Sequence, residues 1–106
     1  MRRGEIWWAD MGPPSGRRPV MLLSRDDSYS VRSLVIVAPI TTKIRGIRSE
    51  VLLDIEDGLP RKCVINLDNV TTILRSKLQS RITTLNTKKI KGAEDALCFA
   101  VDIKTL

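Results

Sequence analysis

The sequence predicts an α+β fold: a small, strongly bent SH3-like β-barrel followed by one C-terminal α-helix. Three observations predict it. Short β-favouring runs recur at intervals of roughly 8–12 residues. Glycine and proline punctuate the gaps between them. Only the last segment changes period, its apolar residues returning at steps of three and four. A chain of 106 residues is read as a single domain over 1–106, large enough for one modest core.

Residues 4–9 (Gly4-Glu5-Ile6-Trp7-Trp8-Ala9) read as a first strand, aromatic and β-favouring. Trp7 and Trp8 are adjacent, so they point to opposite faces; core and interface packing is expected of them, with base stacking open to the outward one. Residues 10–17, with two glycines and two prolines, form a loop. A second strand covers 18–24, with Pro19 tolerated only at its beginning because proline cannot donate to a ladder. A polar turn follows at 25–30. Residues 33–40 (Ser33-Leu34-Val35-Ile36-Val37-Ala38-Pro39-Ile40) are expected to be a central strand buried on both faces, its regular pairing ended by Pro39.

Residues 41–48 (Thr41-Thr42-Lys43-Ile44-Arg45-Gly46-Ile47-Arg48) form a basic loop. Strands are expected at 50–55, 62–66, 70–74 and 81–84, with turns at 56–60 and 75–78. Glu50, Asp54, Glu56 and Asp57 read as strand and turn surface charge rather than as a metal site. In the final segment Ile90, Ala93, Leu97, Ala100 and Val101 share one face of a helix of about 15 residues. Asn86 or Thr87 suits its N-cap. Lys88, Lys89 and Lys91 oppose the helix dipole there, a cost of a few tenths of a kcal/mol each.

Composition narrows the function. Eighteen Lys and Arg against twelve Asp and Glu give a net charge of +6, which favours a polyanionic partner. The chain has no histidine, which removes imidazole-based hydrolysis and the Ser-His-Asp arrangement. Two cysteines, Cys63 and Cys98, lie among apolar residues without any CxxC pattern and read as reduced core thiols. Zinc chemistry lacks a ligand set, so no metal and no cofactor are expected. The longest apolar run, Leu34–Ile40, is far short of a membrane span, and no signal-peptide stretch follows the basic start. The expected location is therefore cytoplasmic, without membrane association.

Three blocks, in order over nearly the whole chain, carry a family resemblance. The first is Arg2-Arg3-Gly4-Glu5-Ile6-Trp7-Trp8-Ala9-Asp10, then a Gly/Pro loop, then Arg17-Arg18-Pro19-Val20-Met21-Leu22-Leu23-Ser24. The second is Ile36-Val37-Ala38-Pro39-Ile40-Thr41-Thr42. The third runs from Leu59-Pro60-Arg61-Lys62-Cys63 through Val64-Ile65-Asn66-Leu67-Asp68-Asn69 to Val70-Thr71-Thr72-Ile73. Together they resemble the MazF/PemK-type toxins of type II toxin–antitoxin systems, whose barrel is of the MazF/Kid/CcdB-like kind.

The resemblance implies a homodimeric, metal-independent, sequence-specific endoribonuclease. It would cut single-stranded RNA (mRNA, with rRNA and tRNA as further classes) and so inhibit translation and growth. Cleavage would proceed by 2′-hydroxyl attack, leaving a 2′,3′-cyclic phosphate and a 5′-hydroxyl. A cognate antitoxin with an acidic, disordered tail would cover the basic groove, and DNA would be met only through that antitoxin. The family's catalytic arginine matches Arg18 and its threonine Thr41. Some branches add an aspartate matching Asp68; those branches carry an arginine where this sequence has Asn66, and a first-loop histidine absent here. RNA-binding candidates are Arg17, Ser24, Thr42, Lys43, Arg45 and Asn66. Of these Arg17, Lys43 and Arg45, with Arg48, are the cations able to track a phosphate backbone.

The chemistry suits these residue types. A planar guanidinium grips two phosphoryl oxygens and stays charged, and a hydroxyl donates one more bond. The proton acceptor is open among Asp68, a polarised water and Arg18 itself. Outside this setting Arg18 would pair with Asp10 or Asp26, and Thr41 would bond to backbone at a strand end. Two other functions compete. A CcdB-like gyrase poison acts through a C-terminal helix ending in a tryptophan-containing segment, which Val101-Asp102-Ile103-Lys104-Thr105-Leu106 lacks. A catalytically silent barrel would bind nucleic acid without shortening it.

Overall fold

The structure, a computed structural model, describes residues 1–104; Thr105 and Leu106, the end of the tryptophan-free terminal stretch, lie outside the described residues. Its strands are β1 (Glu5–Asp10), β2 (Arg17–Leu22), β3 (Leu34–Thr41), β4 (Glu50–Leu53), β5 (Cys63–Asn66), β6 (Thr71–Leu74) and β7 (Leu78–Thr84). Helix α1 spans Ser28–Val31 and helix α2 spans Thr87–Ala100. The sheet is antiparallel throughout, in the order β4-β5-β3-β2-β1-β7, with β6 added to β3. The α+β composition and terminal helix are as predicted. Closure is not: among the described residues no ladder joins β4 to β7. Strands β4 and β5 have only four residues each, and helix α2 packs onto β4 and the turn at Leu67–Asn69 instead.

Strand β3 organises the sheet, and it corrects two expectations. Pro39 does not end the pairing. On one edge β3 pairs with β2 from Val37 to Pro39. On the other edge it pairs with β6 over Leu34–Val37, then with β5 at Ile40 and Thr41. The partner exchange falls at Ala38–Pro39, where proline has no N–H to offer a ladder. Nor is β3 buried on both faces. Val35, Val37, Ala38 and Ile40 are buried, whereas Leu34 and Ile36 are 45% and 44% exposed. The strand alternates as a half-buried antiparallel strand does.

Two apolar clusters result. The larger lies between the sheet and α2 and includes Ile6, Met21, Ile40, Leu53, Ile65 and Leu67. The smaller, on the other face, includes Ala9, Val20, Leu22, Val35 and Val37, with Trp7 packed against it. The residues between β2 and β3, expected to be a plain turn, contain α1. It forms because Tyr29 has an apolar site to fill, and its hydroxyl donates to the Ser24 carbonyl at 3.1 Å. Burial pushes the Tyr29 phenol up to about 12.

Helix α2 is capped by Asn86, whose side chain accepts from Lys89 N–H at 2.8 Å. Ala93 is buried, and Ile90, Leu97 and Ala100 pack on the larger cluster; Val101, past the helix end, is exposed. Lys89 is satisfied within the protein, donating to the Leu52 carbonyl at 2.6 Å beside Asp57. Gly4 has φ +92°, and a Cβ there would stand 2.5 Å from Ile90 Cδ1, so glycine lets α2 seat against the start of β1. Asp54 and Asp57 serve as caps: Asp54 accepts from Ile55 N–H while Asp57 accepts from Asp54 N–H. Both cysteines are free thiols; Cys63 is buried, while Cys98 on α2 is only partly so. Among the described residues no helix is long and apolar enough to cross a membrane.

Candidate active site

The register of the central strands builds the site. In the β2–β3 ladder Val20 faces Pro39 and Met21 faces Ala38. Continued by two residues, that register sets Arg18 opposite Thr41, at the end of the ribbon where β3 has already exchanged partners. Arg18 and Thr41 together line two adjoining hollows, one on each side of this ridge. The first hollow, about 270 Å³, adds Met11, Lys43, Arg45, Asn66 and Asn69. The second, about 390 Å³, adds Trp8, Arg17, Thr42, Leu59 and Arg61. These volumes sit near the lower end for small-ligand pockets, ~300 Å³, and suit a nucleotide-sized group on each side.

The local bonds explain why the functional groups are available. Met11 N–H donates to Gly16 O at 2.9 Å and Gly16 N–H to Gly12 O at 2.7 Å, closing the β1–β2 loop on itself. The Ser15 carbonyl of that loop accepts from Arg18 Nε at 3.2 Å. Arg18 is thereby oriented through one donor, and its two terminal amino groups remain for another acceptor. The carboxylates that might have held it are engaged elsewhere. Asp10 accepts from Gly12 N–H at 3.0 Å and lies 3.9 Å from Lys77, and Asp26 accepts from Arg3 N–H at 2.8 Å. Thr41 Oγ1 accepts from Lys43 N–H at 3.1 Å, which leaves its O–H free to donate outward.

Among the residues lining the two hollows there is no carboxylate; the charged ones are Arg17, Arg18, Lys43, Arg45 and Arg61. Such a wall of cations and amide or hydroxyl donors favours an oxyanion and suits phosphate geometry. Cys63 also reaches the second hollow. Burial, with Asp54 and Asp57 nearby, pushes its thiol up, so it stays protonated and inert at neutral pH.

The remaining sequence candidates divide cleanly. Arg17, Thr42, Lys43, Arg45 and Asn66 line one hollow or the other. Ser24 does not. It lies past the end of β2, buried, with its hydroxyl accepting from Ile36 N–H at 2.8 Å, and it stitches β2 to β3. Asp68 does not line either hollow. Its carboxylate accepts from Ser49 Oγ at 2.5 Å, and its own N–H donates to Asn66 Oδ1 at 3.0 Å. Arg48 also stands away, its guanidinium 4.7 Å from the Phe99 ring centre. Conversely Ser15, Arg61 and Asn69 line the hollows without having been singled out from the sequence. They sit in turns with no period to betray their direction; the only signal for Arg61 and Asn69 is that they fall inside the third block.

Comparison with known proteins identifies the family of the chain. The family model described as PemK-like, MazF-like toxin of type II toxin-antitoxin system matches residues 2–101. A relative from Mycobacterium tuberculosis (strain ATCC 25618 / H37Rv), the probable endoribonuclease MazF5, is 42% identical over 94% of this chain and 92% of its own length. The Staphylococcus saprophyticus endoribonuclease MazF is 30% identical over all of this chain and 95% of that protein. Among solved structures, the Mycobacterium tuberculosis toxin MazF-mt6 superposes with a TM-score of 0.88 at 32% identity, covering 95% of this chain and 99% of that one. A mycobacterial endoribonuclease solved in complex with its cognate antitoxin shares the fold, with a TM-score of 0.88 at 22% identity and coverage of 100% and 99%. With a match that spans the site and nearly every element around it, the chain belongs to the PemK-like, MazF-like toxins of type II toxin–antitoxin systems.

Proposed function

We propose that this toxin-family endoribonuclease cuts single-stranded RNA by attack of the RNA's own 2′-hydroxyl, with Arg18 and Thr41 stabilising the phosphoryl group. The observation that carries the reading is the ridge itself: both residues line both hollows, with cations and neutral donors on either side. A strand laid across the ridge puts one phosphodiester against the guanidinium and its two neighbouring nucleotides into the hollows. The 2′-oxygen bonds to phosphorus, the bond to the 5′-oxygen breaks, and the products are a 2′,3′-cyclic phosphate and a 5′-hydroxyl. Arg18's terminal amino groups and the Thr41 O–H bind the non-bridging oxygens as charge gathers there.

The 2′-hydroxyl proton passes to water in the groove, and water returns one to the departing 5′-oxygen. Asp68 is assigned a positioning role, because its carboxylate holds Ser49 at the exit of the basic loop. Lys43, Arg45 and Asn66 bind the strand on one side, and Arg17 and Thr42 on the other. Ser24 takes no part in the RNA contact that the sequence suggested.

The partners follow from the same wall. An antitoxin with an acidic, disordered segment neutralises the toxin by folding over these cations, as coupled folding and binding allows. DNA is reached only through that antitoxin, and the working assembly is a homodimer. Incubating purified protein with a long RNA and sequencing the new 5′-hydroxyl ends tests the core of this reading. Cleavage within a recurring motif, unchanged in EDTA, is expected. Strict dependence on magnesium, or 5′-phosphate ends, would overturn it.

A further inference from the structure

The two hollows differ in chemistry. The first offers amides and cations: Asn66, Asn69, Lys43 and Arg45. The second holds an aromatic side chain, Trp8, over an apolar floor that includes Pro19, Ile40 and Leu59. Trp8 is not consumed by the core. It lies on the opposite face of β1 from Trp7, which packs on the smaller cluster and whose Nε1 donates to Glu5 Oε1 at 2.9 Å.

Trp8 is half-buried, and the Arg17 guanidinium lies over its ring, 4.3 Å from the ring centre. Arg17 is held there by a second contact, Nε to Gln79 Oε1 on β7 at 2.8 Å. Arg17 is itself exposed, so neither contact is sealed from water. An exposed cation–π contact is weak, so a better stacking partner can displace it.

We infer that Trp8 is a nucleobase-stacking subsite beside the scissile phosphate, and that Arg17 is its resident cap. This rests on the proposal that the groove holds single-stranded RNA. A base entering the second hollow takes the indole face, and the guanidinium either closes over the base as a second layer or turns to the adjacent phosphate. Every base has a π-face, so this subsite tolerates sequence, and base selection falls to the amides of the first hollow.

The test uses a set of short RNAs spanning the strongest cut site, each with one abasic nucleotide at a different position. In the unmodified protein one abasic position adjoining the cut should raise KM on the order of tenfold or more, with little change in kcat. In Trp8→Leu the intact and abasic RNAs should be cut equally well, and Trp8→Phe should restore the difference. A Trp8→Leu protein that lowers cleavage of all the RNAs alike, with the positional penalty intact, would overturn the subsite.

Should Trp8→Leu not fold, a Trp7→Phe protein isolates Trp8 emission. An RNA blocked by a 2′-deoxy nucleotide at the cut should quench it, and the matching abasic RNA should not. Equal quenching by both would also overturn the subsite. Absence of any cleavage by the unmodified protein would count against the ribonuclease reading alone, because the blocked strand reports stacking without turnover.

Discussion

The two loops that flank the Arg18–Thr41 ridge differ in the balance of main-chain and carboxylate contacts that hold them. The β1–β2 loop, residues 11–16, closes on itself through main-chain bonds and presents one carbonyl, that of Ser15, to orient Arg18. The basic loop, residues 42–49, has main-chain bonds near its end, where Glu50 N–H donates to Ile47 O and Leu67 N–H to Ser49 O, and it is held further by carboxylates from outside it. Glu50 Oε1 accepts from both Arg45 N–H and Gly46 N–H at 3.0 Å, and Asp68 takes the Ser49 hydroxyl. The difference has a chemical logic. Under the proposed function Arg18 must stay put while charge builds, and it is held by a turn closed chiefly by main-chain bonds, with one carboxylate contact from Asp10 to Gly12 N–H. In the same reading Lys43 and Arg45 track the phosphates of the strand, and a loop hung from two carboxylate pins can adjust its side chains while keeping its main chain in place.

Arg18→Ala attacks the rigid side and should give the largest effect. Loss of one preorganised donor to a developing oxyanion typically costs roughly 10²–10³ in rate. Cleavage assayed on the motif-containing RNA should fall by that much or more, with the circular dichroism spectrum and melting temperature unchanged because the side chain is exposed. Near-normal cleavage would remove the ridge from the chemistry. Thr41→Val should follow it with a smaller loss in kcat, since only one hydrogen bond of several is withdrawn from the phosphate.

Next in size is a stability effect at the turn that leads into the Leu59–Arg61 segment lining the second hollow. Gly58 has φ +94°, and a Cβ there would stand 2.6 Å from Thr83 Oγ1 and 2.7 Å from Thr83 Cβ. Gly58→Ala therefore meets both a left-handed backbone and a neighbouring strand. Destabilisation of about 2 kcal/mol in denaturant unfolding is expected, from backbone strain plus overpacking. A neutral result would mean the turn can rebuild without positive φ.

How much of this was legible in the sequence follows the same division between strands and loops. Arg18 and Thr41 were legible as candidates because both sit in matched blocks, whereas their facing positions, near the start of β2 and at the end of β3, come from the register of the fold. The exchange of partners at Pro39 was not readable as such. The proline marks a missing donor, but only the fold shows that β6 and β5 take turns on one edge. Ser24 illustrates the opposite failure: a hydroxyl just past a strand looks available until Ile36 N–H is found on it. Asp68 shows the same limit, its carboxylate turned toward Ser49 by a 3₁₀ turn that has no periodic signature. Barrel closure depended on strand lengths at β4 and β5, and strand ends are where local propensity decides least.

The adjustable side can be probed through Glu50. Glu50→Ala removes the shared acceptor of two amides, so hydrogen exchange at Arg45 and Gly46 should speed up by about tenfold or more. KM for RNA should rise a few-fold with kcat nearly unchanged, because Lys43 and Arg45 are displaced and Arg18 is not. A fall in kcat to match Arg18→Ala would show that the two loops are one unit and would abolish the contrast drawn between them.

The smallest expected effect concerns the base of the rigid side. Glu5 opens β1 and is 6% exposed. Burial by itself raises its carboxyl, but hydrogen bonds from Trp7 Nε1 and Arg2 N–H, with the N-terminal ammonium and Arg81, more than offset that and hold it below the usual 4.5. A depressed folded-state value means the ionised form stabilises the fold. That contribution is complete above the unfolded-state value near 4.5 and disappears as pH falls through the lower folded-state value. Glu5→Gln should therefore melt a few degrees lower near pH 7, and the gap between the two proteins should narrow as pH is taken below about 4.5. The exchange rates at Arg45 and Gly46 should not move with it, because their pin is Glu50. A gap that widens on acidification would mean that burial, rather than Trp7, Arg2 and the two positive charges, controls Glu5. The rigid side would then rest on a carboxyl that prefers to be neutral.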